Sequence, residues 1–295
     1  MYKNIAANKR NTVFLMIGFV VLIVAIGILL AFINGEFDYY TMLGFSVFAI
    51  IYVVVQYFAA SKIAVAMTGA KKIEKKDNRR LYNIVENLSL TAGLPMPEVY
   101  IINDPAPNAF ASGRDPKHSL VAATTGLLDI MDDKELTAVM AHELSHVKNY
   151  DIRLTTMVFG LVSLIGFIAD IGWRIALRGR RRSSNDDVSP VAIILVLITS
   201  IIAPFVAVLA QMAVSREREY LADASAAHLT RYPEGMIAAL RKLESHAQPM
   251  QQQNPATEAM FISSPLRKKS FNNLFSTHPP IEKRIERLEN GKHKF

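Results

Sequence analysis

Cysteine is absent from all 295 residues. Disulfides, thiolate metal centres and cysteine nucleophiles are thereby excluded, and any metal must be held by His, Asp or Glu. Histidine is itself scarce, at 7 copies. The net charge is +7, but no aromatic-studded basic motif accompanies it, so nucleic acid is not implied as a partner. Charge is missing altogether from residues 11–35 and 39–61, in a chain that is 51% hydrophobic. Each run reaches or exceeds the roughly 20 residues that cross a hydrocarbon core of about 30 Å. The first is too long for a signal peptide and has no small-residue cleavage site before Glu36 and Asp38.

Together the two runs predict a helical hairpin turning at 34–38. Lys3, Lys9 and Arg10 precede it, and Lys62, Lys71, Lys72, Lys75, Lys76, Arg79 and Arg80 follow it, while the turn holds only Glu36 and Asp38. The excess of Lys and Arg on the outer flanks places them in the cytoplasm. A third apolar run covers 154–169 and a fourth 188–215, joined by a connector with Arg174, Arg178, Arg180, Arg181 and Arg182. A full crossing would put those arginines outside, so this second hairpin either spans against the charge rule or is re-entrant. The chain divides into a membrane hairpin (1–61), the first part of a cytoplasmic domain (62–153), the second hydrophobic hairpin (154–215) and the second part of the domain (216–295).

Within 62–153, Leu81, Ile84, Val85 and Leu88 recur at helical spacing before Gly93 and Pro95. Residues 98–102 and 119–124 read as strands, and 103–116 as turn-rich. Asp132 with Glu135 three residues on predicts a capping box at the start of a helix. After 216, helices are expected over 216–228 and 234–246, a loop over 248–273, and a last helix after Pro279 and Pro280 with Ile281, Ile285 and Leu288 on one face.

The helix beginning near Asp132 contains His142-Glu143-Leu144-Ser145-His146, an H-E-x-x-H motif. Residues four apart share a helix face, so both histidines can offer ring nitrogens to one zinc ion, and Glu143 can take a proton from water on that metal. A chance match is expected on the order of 0.01 times per chain of this composition. A catalytic zinc needs a third protein ligand. Peptidases using two histidines and a glutamate draw the glutamate from a second helix, with an aspartate four residues later. Glu219 and Asp223 supply that spacing: Glu219 as ligand, Asp223 as acceptor from a ligand histidine, expected to be His142. Glu217 sits roughly 200° around the helix from Glu219 and cannot share the metal with it.

With these motifs in place, the chain resembles the HtpX-type bacterial membrane zinc peptidases of the gluzincin group, relatives of the CAAX prenyl endopeptidases. The resemblance runs through Asn108-Ala109-Phe110-Ala111, Thr124-Thr125-Gly126-Leu127-Leu128, AHELSHVKNYD at 141–151, Arg218-Glu219-Tyr220 with Ala222-Asp223, and Thr277-His278-Pro279-Pro280 before Arg284. It implies an α+β zinc-peptidase domain, mostly helical with a small sheet, carried by two to four transmembrane helices. It implies one zinc per subunit on His142, His146 and Glu219, catalysis by Glu143, and His278 beside the active site as oxyanion donor or metal cap. Asn108 and Ala109 would bind substrate, an extended chain adding to a sheet edge within 109–123. The implied role is quality control: cleavage of misfolded or damaged membrane proteins at the cytoplasmic face of the cell membrane, with the lipid bilayer and membrane proteins as partners. A prenyl-protein peptidase is the alternative among enzymes. A membrane scaffold with a structural zinc is the alternative outside them, and Glu143 speaks against it, because closed structural sites use four protein ligands and need no extra carboxylate. Arg284 could pair with an active-site acid but reads by default as part of a solvated helix face, Asp151 reads as a residue behind the metal ligands or as a helix end, and His118, His228, His246 and His293 as surface or packing residues.

Overall fold

The computed structural model describes residues 2–33, 39–180, 216–264 and 279–291. The expected turn at 34–38, the fourth apolar run at 188–215, and His278 and His293 lie outside the described residues. Two long helices open the chain, α1 (Tyr2–Ile33) and α2 (Tyr39–Thr68). Both contain stretches long and apolar enough to cross a membrane, Ile5–Ala25 and Met42–Thr68, of which only 28% and 17% are buried against the rest of the protein. A soluble core helix would be covered. Here Val13, Phe14, Ile17 and Val21 on α1, and Ile50, Ile51, Val54 and Phe58 on α2, stand exposed, as a lipid-facing surface requires.

A four-stranded sheet follows, with β1 (Lys71–Lys72), β2 (Glu98–Ile102), β3 (Ala109–Asp115) and β4 (His118–Thr124) in the order β1-β2-β4-β3. β4 runs parallel to β2 and antiparallel to β3, and β1 is antiparallel to β2. Helix α3 (Arg79–Ala92) packs on the domain through Leu81, Val85 and Leu88. Asn78 caps its start by accepting from the Leu81 N–H at 2.9 Å, and Gly93 ends it at φ +67°. Residues 103–116, expected to be turn-rich, contain the whole of β3. Ala109, Ala111, Ser112 and Gly113 have poor strand propensity, but pairing with β4 overrides it, and the small side chains let α5 and α6 lie close.

The helical half comprises α4 (Thr125–Ile130), α5 (Asp133–Lys148), α6 (Asp151–Arg180), α7 (Arg216–Thr230), α8 (Pro233–Ser245) and α9 (Ile281–Gly291). The third apolar run is thus the core of a 30-residue helix, about 45 Å long at 1.5 Å per residue. Leu154, Met157, Val158 and Leu161 on α6 pack with Leu15, Phe19 and Ile23 on α1 and Ala49 and Val53 on α2, which docks the membrane hairpin against the domain. The expected loop over 248–273 includes a 3₁₀ helix, Pro255–Met260, and Phe261, which bridges antiparallel to Phe110.

Helix α5 forms the centre of the main apolar core. Its predicted capping box is present: Asp132 Oδ1 accepts from the Glu135 N–H at 2.8 Å, and Glu135 Oε2 accepts from the Asp132 N–H at 2.7 Å. Lys242 of α8 reaches the same Glu135 oxygen at 2.6 Å. Asp132→Ala is expected to destabilise the domain by about 1 kcal/mol, the usual worth of such a cap, whereas Asp132→Asn, which keeps an acceptor, should cost much less. Thermal unfolding of the two variants in detergent checks this.

Candidate metal centre

His142 and His146 lie one turn apart on α5, both facing α7. Their rings meet edge-on, with centroids 4.8 Å apart and planes at 88°. The two Nε2 atoms are 3.2 Å apart. From α7, Glu219 brings Oε2 to 3.6 Å from His142 Nε2 and Oε1 to 3.5 Å from His146 Nε2. Ligands at 2.0–2.1 Å from a tetrahedral ion stand about 3.3 Å from one another, so these spacings fit a single small cation. His142, His146 and Glu219 are the metal-holding group found among the described residues.

The approach of α7 to α5 rests on small side chains. Ala222, Ala226 and Ala227 are fully buried, the last two in one core cluster with Ala138 and Ala141. The competing acid, Glu217, has 76% of its side chain exposed and sits 3.4 Å from Arg287 at the surface. The choice between the two glutamates therefore follows the helical geometry.

Behind the donor atoms stand acids that hold each ring. Asp223 Oδ1 lies 2.9 Å from His142 Nδ1, off the line of the ring N–H. Asp151 Oδ2 lies 3.0 Å from His146 Nδ1. Engaging Nδ1 on both rings leaves both Nε2 atoms for a cation, the usual role of such outer carboxylates. Asp151 is thus both the start of α6 and a partner of His146.

Arg284, expected by default on a solvated face, is 1% exposed and enters the centre from α9. Its Nε donates to Asp223 Oδ2 at 2.8 Å and its Nη2 to Asp223 Oδ1 at 2.7 Å, while Nη1 lies 3.8 Å from Glu219 Oε2. A single arginine on an amphipathic helix offers no periodic sign that it points inward. Burial opposes the Asp223 charge, but the guanidinium outweighs it and holds the carboxyl below the usual carboxylate range. Glu143 is also buried. Loss of solvent raises its pKa, and the nearby histidines work against that rise.

Glu143, Ala111, Thr155, Arg218 and Ala259 to Ile262 wall a cavity of about 30 Å³ in front of the donor atoms, enough for water and too small for a peptide. Of the expected substrate edge at 109–123, only β3 is an edge, because β4 lies inside the sheet. That edge is partly taken. The Ile262 N–H donates to the Ala109 carbonyl at 2.9 Å, and Asn108 exchanges two hydrogen bonds with the Ser263 backbone, at 2.9 and 3.2 Å. Further along, the Gly113 N–H donates to Thr156 Oγ1 at 3.2 Å. Ala111, between them, faces the same edge by the period of the strand and lines the cavity. His118, His228 and His246 are exposed.

Residues 75–292 match the model for Peptidase family M48. A protein named Protease HtpX homolog from Tropheryma whipplei (strain Twist) is 51% identical over 301 residues, covering 100% of both chains. Another of that name from Limosilactobacillus reuteri (strain DSM 20016) is 45% identical over 295 residues, covering 98% of this chain and 99% of that one. The crystal structure of S. mikatae Ste24p is similar at a TM-score of 0.51 and 17% identity, covering 98% of this chain and 67% of that chain. At that identity the likeness concerns the fold alone.

Glu219→Ala is expected to abolish stoichiometric metal binding, while Glu217→Ala keeps it. Asp223→Ala should weaken metal affinity about 10–100-fold, the usual cost of losing a carboxylate behind a ligand histidine. Elemental analysis of purified protein and titration against a chelator measure all three. Metal lost from the Glu217 variant and kept in the Glu219 variant would contradict the geometry.

Proposed function

This chain belongs to peptidase family M48, and from that premise we propose that it is a zinc-dependent endopeptidase of the cell membrane, with its active site on the cytoplasmic side, that cleaves misfolded or damaged membrane proteins. That it is a metalloprotease follows from the family and from its HtpX-named relatives. The observation that supports zinc dependence is the pair of histidine nitrogens 3.2 Å apart, each 3.5–3.6 Å from one oxygen of Glu219, with the Glu143 carboxylate beside them and a cavity for water in front. Two imidazoles and one carboxylate are a donor set zinc takes readily in catalysis, with a fourth position open. Bound there, zinc supplies Lewis acidity that acidifies water and polarises a carbonyl.

The chain's own residues do the rest. Glu143 takes a proton from the attacking water and delivers it to the departing amide nitrogen. Asp223 and Asp151 keep both ligand rings in one tautomer and orientation. Substrate in extended form pairs with the backbone of β3 at Ala111, which reads little sequence because main-chain groups supply the contacts. A substrate using Asn108 and Ala109, the sites proposed for it, displaces Ile262 and Ser263. His278, proposed as an oxyanion donor, precedes the helix that carries Arg284.

Membrane proteins suit this site because its wall is continuous with the membrane helices. Ala259 lines the cavity and also packs against the cluster formed by α1, α2 and α6.

Glu143→Gln keeps size and shape and removes the proton acceptor. It is expected to retain zinc and lose about 10²–10⁴-fold in casein hydrolysis, and a chelator should silence the wild-type protein until zinc is restored. Near-full activity of the zinc-loaded variant would refute the mechanism. Orientation is checked by single cysteines in this cysteine-free chain: one introduced at Lys75 is expected to resist a membrane-impermeant thiol reagent applied outside intact cells.

A further inference from the structure

The supports of the metal centre reach into the first membrane helix. Asp151 uses Oδ2 for His146. Its Oδ1 accepts from Asn8 Nδ2 at 2.6 Å, and the same Asn8 nitrogen donates to the Asn149 carbonyl at 3.0 Å. A carboxamide nitrogen carries two hydrogens, and both are used. The reversed amide would set its oxygen against two acceptors, so the network itself fixes which end faces Asp151. Asn8 is 5% exposed and Asp151 3%, so water does not readily replace either partner.

The corner that carries Asp151 is held from the same helix at a second point. Tyr150 adopts φ +60°, a left-handed conformation that a bulky side chain rarely takes. Lys9 places its ammonium 4.2 Å from the centre of the Tyr150 ring, and the Arg153 guanidinium lies 5.2 Å from the same ring. Adjacent residues of α1 therefore grip the α5–α6 corner, Asn8 through backbone and carboxylate and Lys9 through the ring. A membrane anchor needs none of this, and burying a polar side chain is costly unless it is hydrogen-bonded, as Asn8 is.

We propose that Asn8 is a positioning residue for the metal ligand His146, acting through Asp151, so that docking of the first membrane helix completes the metal centre. This rests on the reading of His146 as a zinc ligand. With Asn8 in place, one Asp151 oxygen is tied back and the other is aimed at the ring. Without it, the carboxylate keeps a buried oxygen with no donor from α1, turns to find another, and releases the ring from a fixed orientation.

The test uses full-length protein in detergent or nanodiscs, with Asn8→Ala, Asp151→Ala, the double variant, and Ile17→Ala as an exposed change on the same helix. Zinc affinity is read by chelator competition, and ligand geometry by the visible absorption of the cobalt-substituted protein. Asn8→Ala is expected to lose about 10-fold in zinc affinity and to shift the cobalt bands, with kcat falling and KM little changed, while Ile17→Ala matches wild type. In the Asp151→Ala background the Asn8 change should add nothing, because its route to His146 is already cut. An unchanged cobalt spectrum and affinity in Asn8→Ala would overturn the proposal, as would effects that add fully in the double variant. Normal zinc binding in His146→Ala would instead bring down the ligand assignment and this inference with it, so the two failures are told apart.

Discussion

Two imidazole nitrogens lie 3.2 Å apart in a buried pocket, and the two oxygens of one carboxylate lie 3.5 and 3.6 Å from them, one oxygen to each nitrogen. Left alone, such atoms would turn away to find donors. Much of the surrounding architecture prevents them from turning. Asp223 and Asp151 hold the far side of each ring, and Arg284 holds Asp223 with two hydrogen bonds while lying near Glu219. Burying Asp223 and Arg284 singly would be costly, and removing one would leave the other uncompensated at about 3–5 kcal/mol. Four helices meet here for that reason: α5 and α7 bring the donor atoms, α6 brings Asp151 and α9 brings Arg284.

Helix proximity is the second condition, and it is met by small side chains. Alanines at 138, 141, 226 and 227 are buried in the core that contains the metal helix, and Ala222 on α7 is fully buried as well. A larger residue on α7 would move Glu219 away from the histidines, which tolerate displacements of only a few tenths of an ångström around a metal with bonds near 2 Å. The capping box and the Lys242 contact at the start of α5 fix the other end of the same helix.

Features set by local periodicity were legible in the sequence. The i, i+4 histidines, the i, i+4 pair of Glu219 and Asp223, the exclusion of Glu217 and the capping box all follow from 3.6 residues per turn, and the two apolar helices follow from runs without charge. What was not legible depends on contacts distant in sequence. β3 is built of residues that do not favour strands and exists because β4 pairs with it. Arg284 looks like any surface arginine until α9 is packed. Asp151 and Asn8 are 143 residues apart and no pattern joins them. The expected substrate edge was placed too broadly because strand order, which puts β4 inside the sheet, is invisible in a list of strands.

The edge itself shows how an exposed strand and a reactive centre coexist in one protein. An open edge beside a hydrolytic site invites pairing with any extended chain, including other copies. Here Ile262 covers Ala109, Asn108 holds Ser263 in place of backbone, and Thr156 covers Gly113. Among the described residues, the edge that faces the cavity is thereby reduced to the neighbourhood of Ala111. A short edge gives a folded protein nothing to grip, since its extended segments are already paired. On the proposed reading of β3 as the substrate edge, an unfolded chain would begin pairing there, and further pairing would require residues 261–263 to yield. Under that proposal, selection for an unfolded state would arise from backbone geometry, without a pocket that reads side chains.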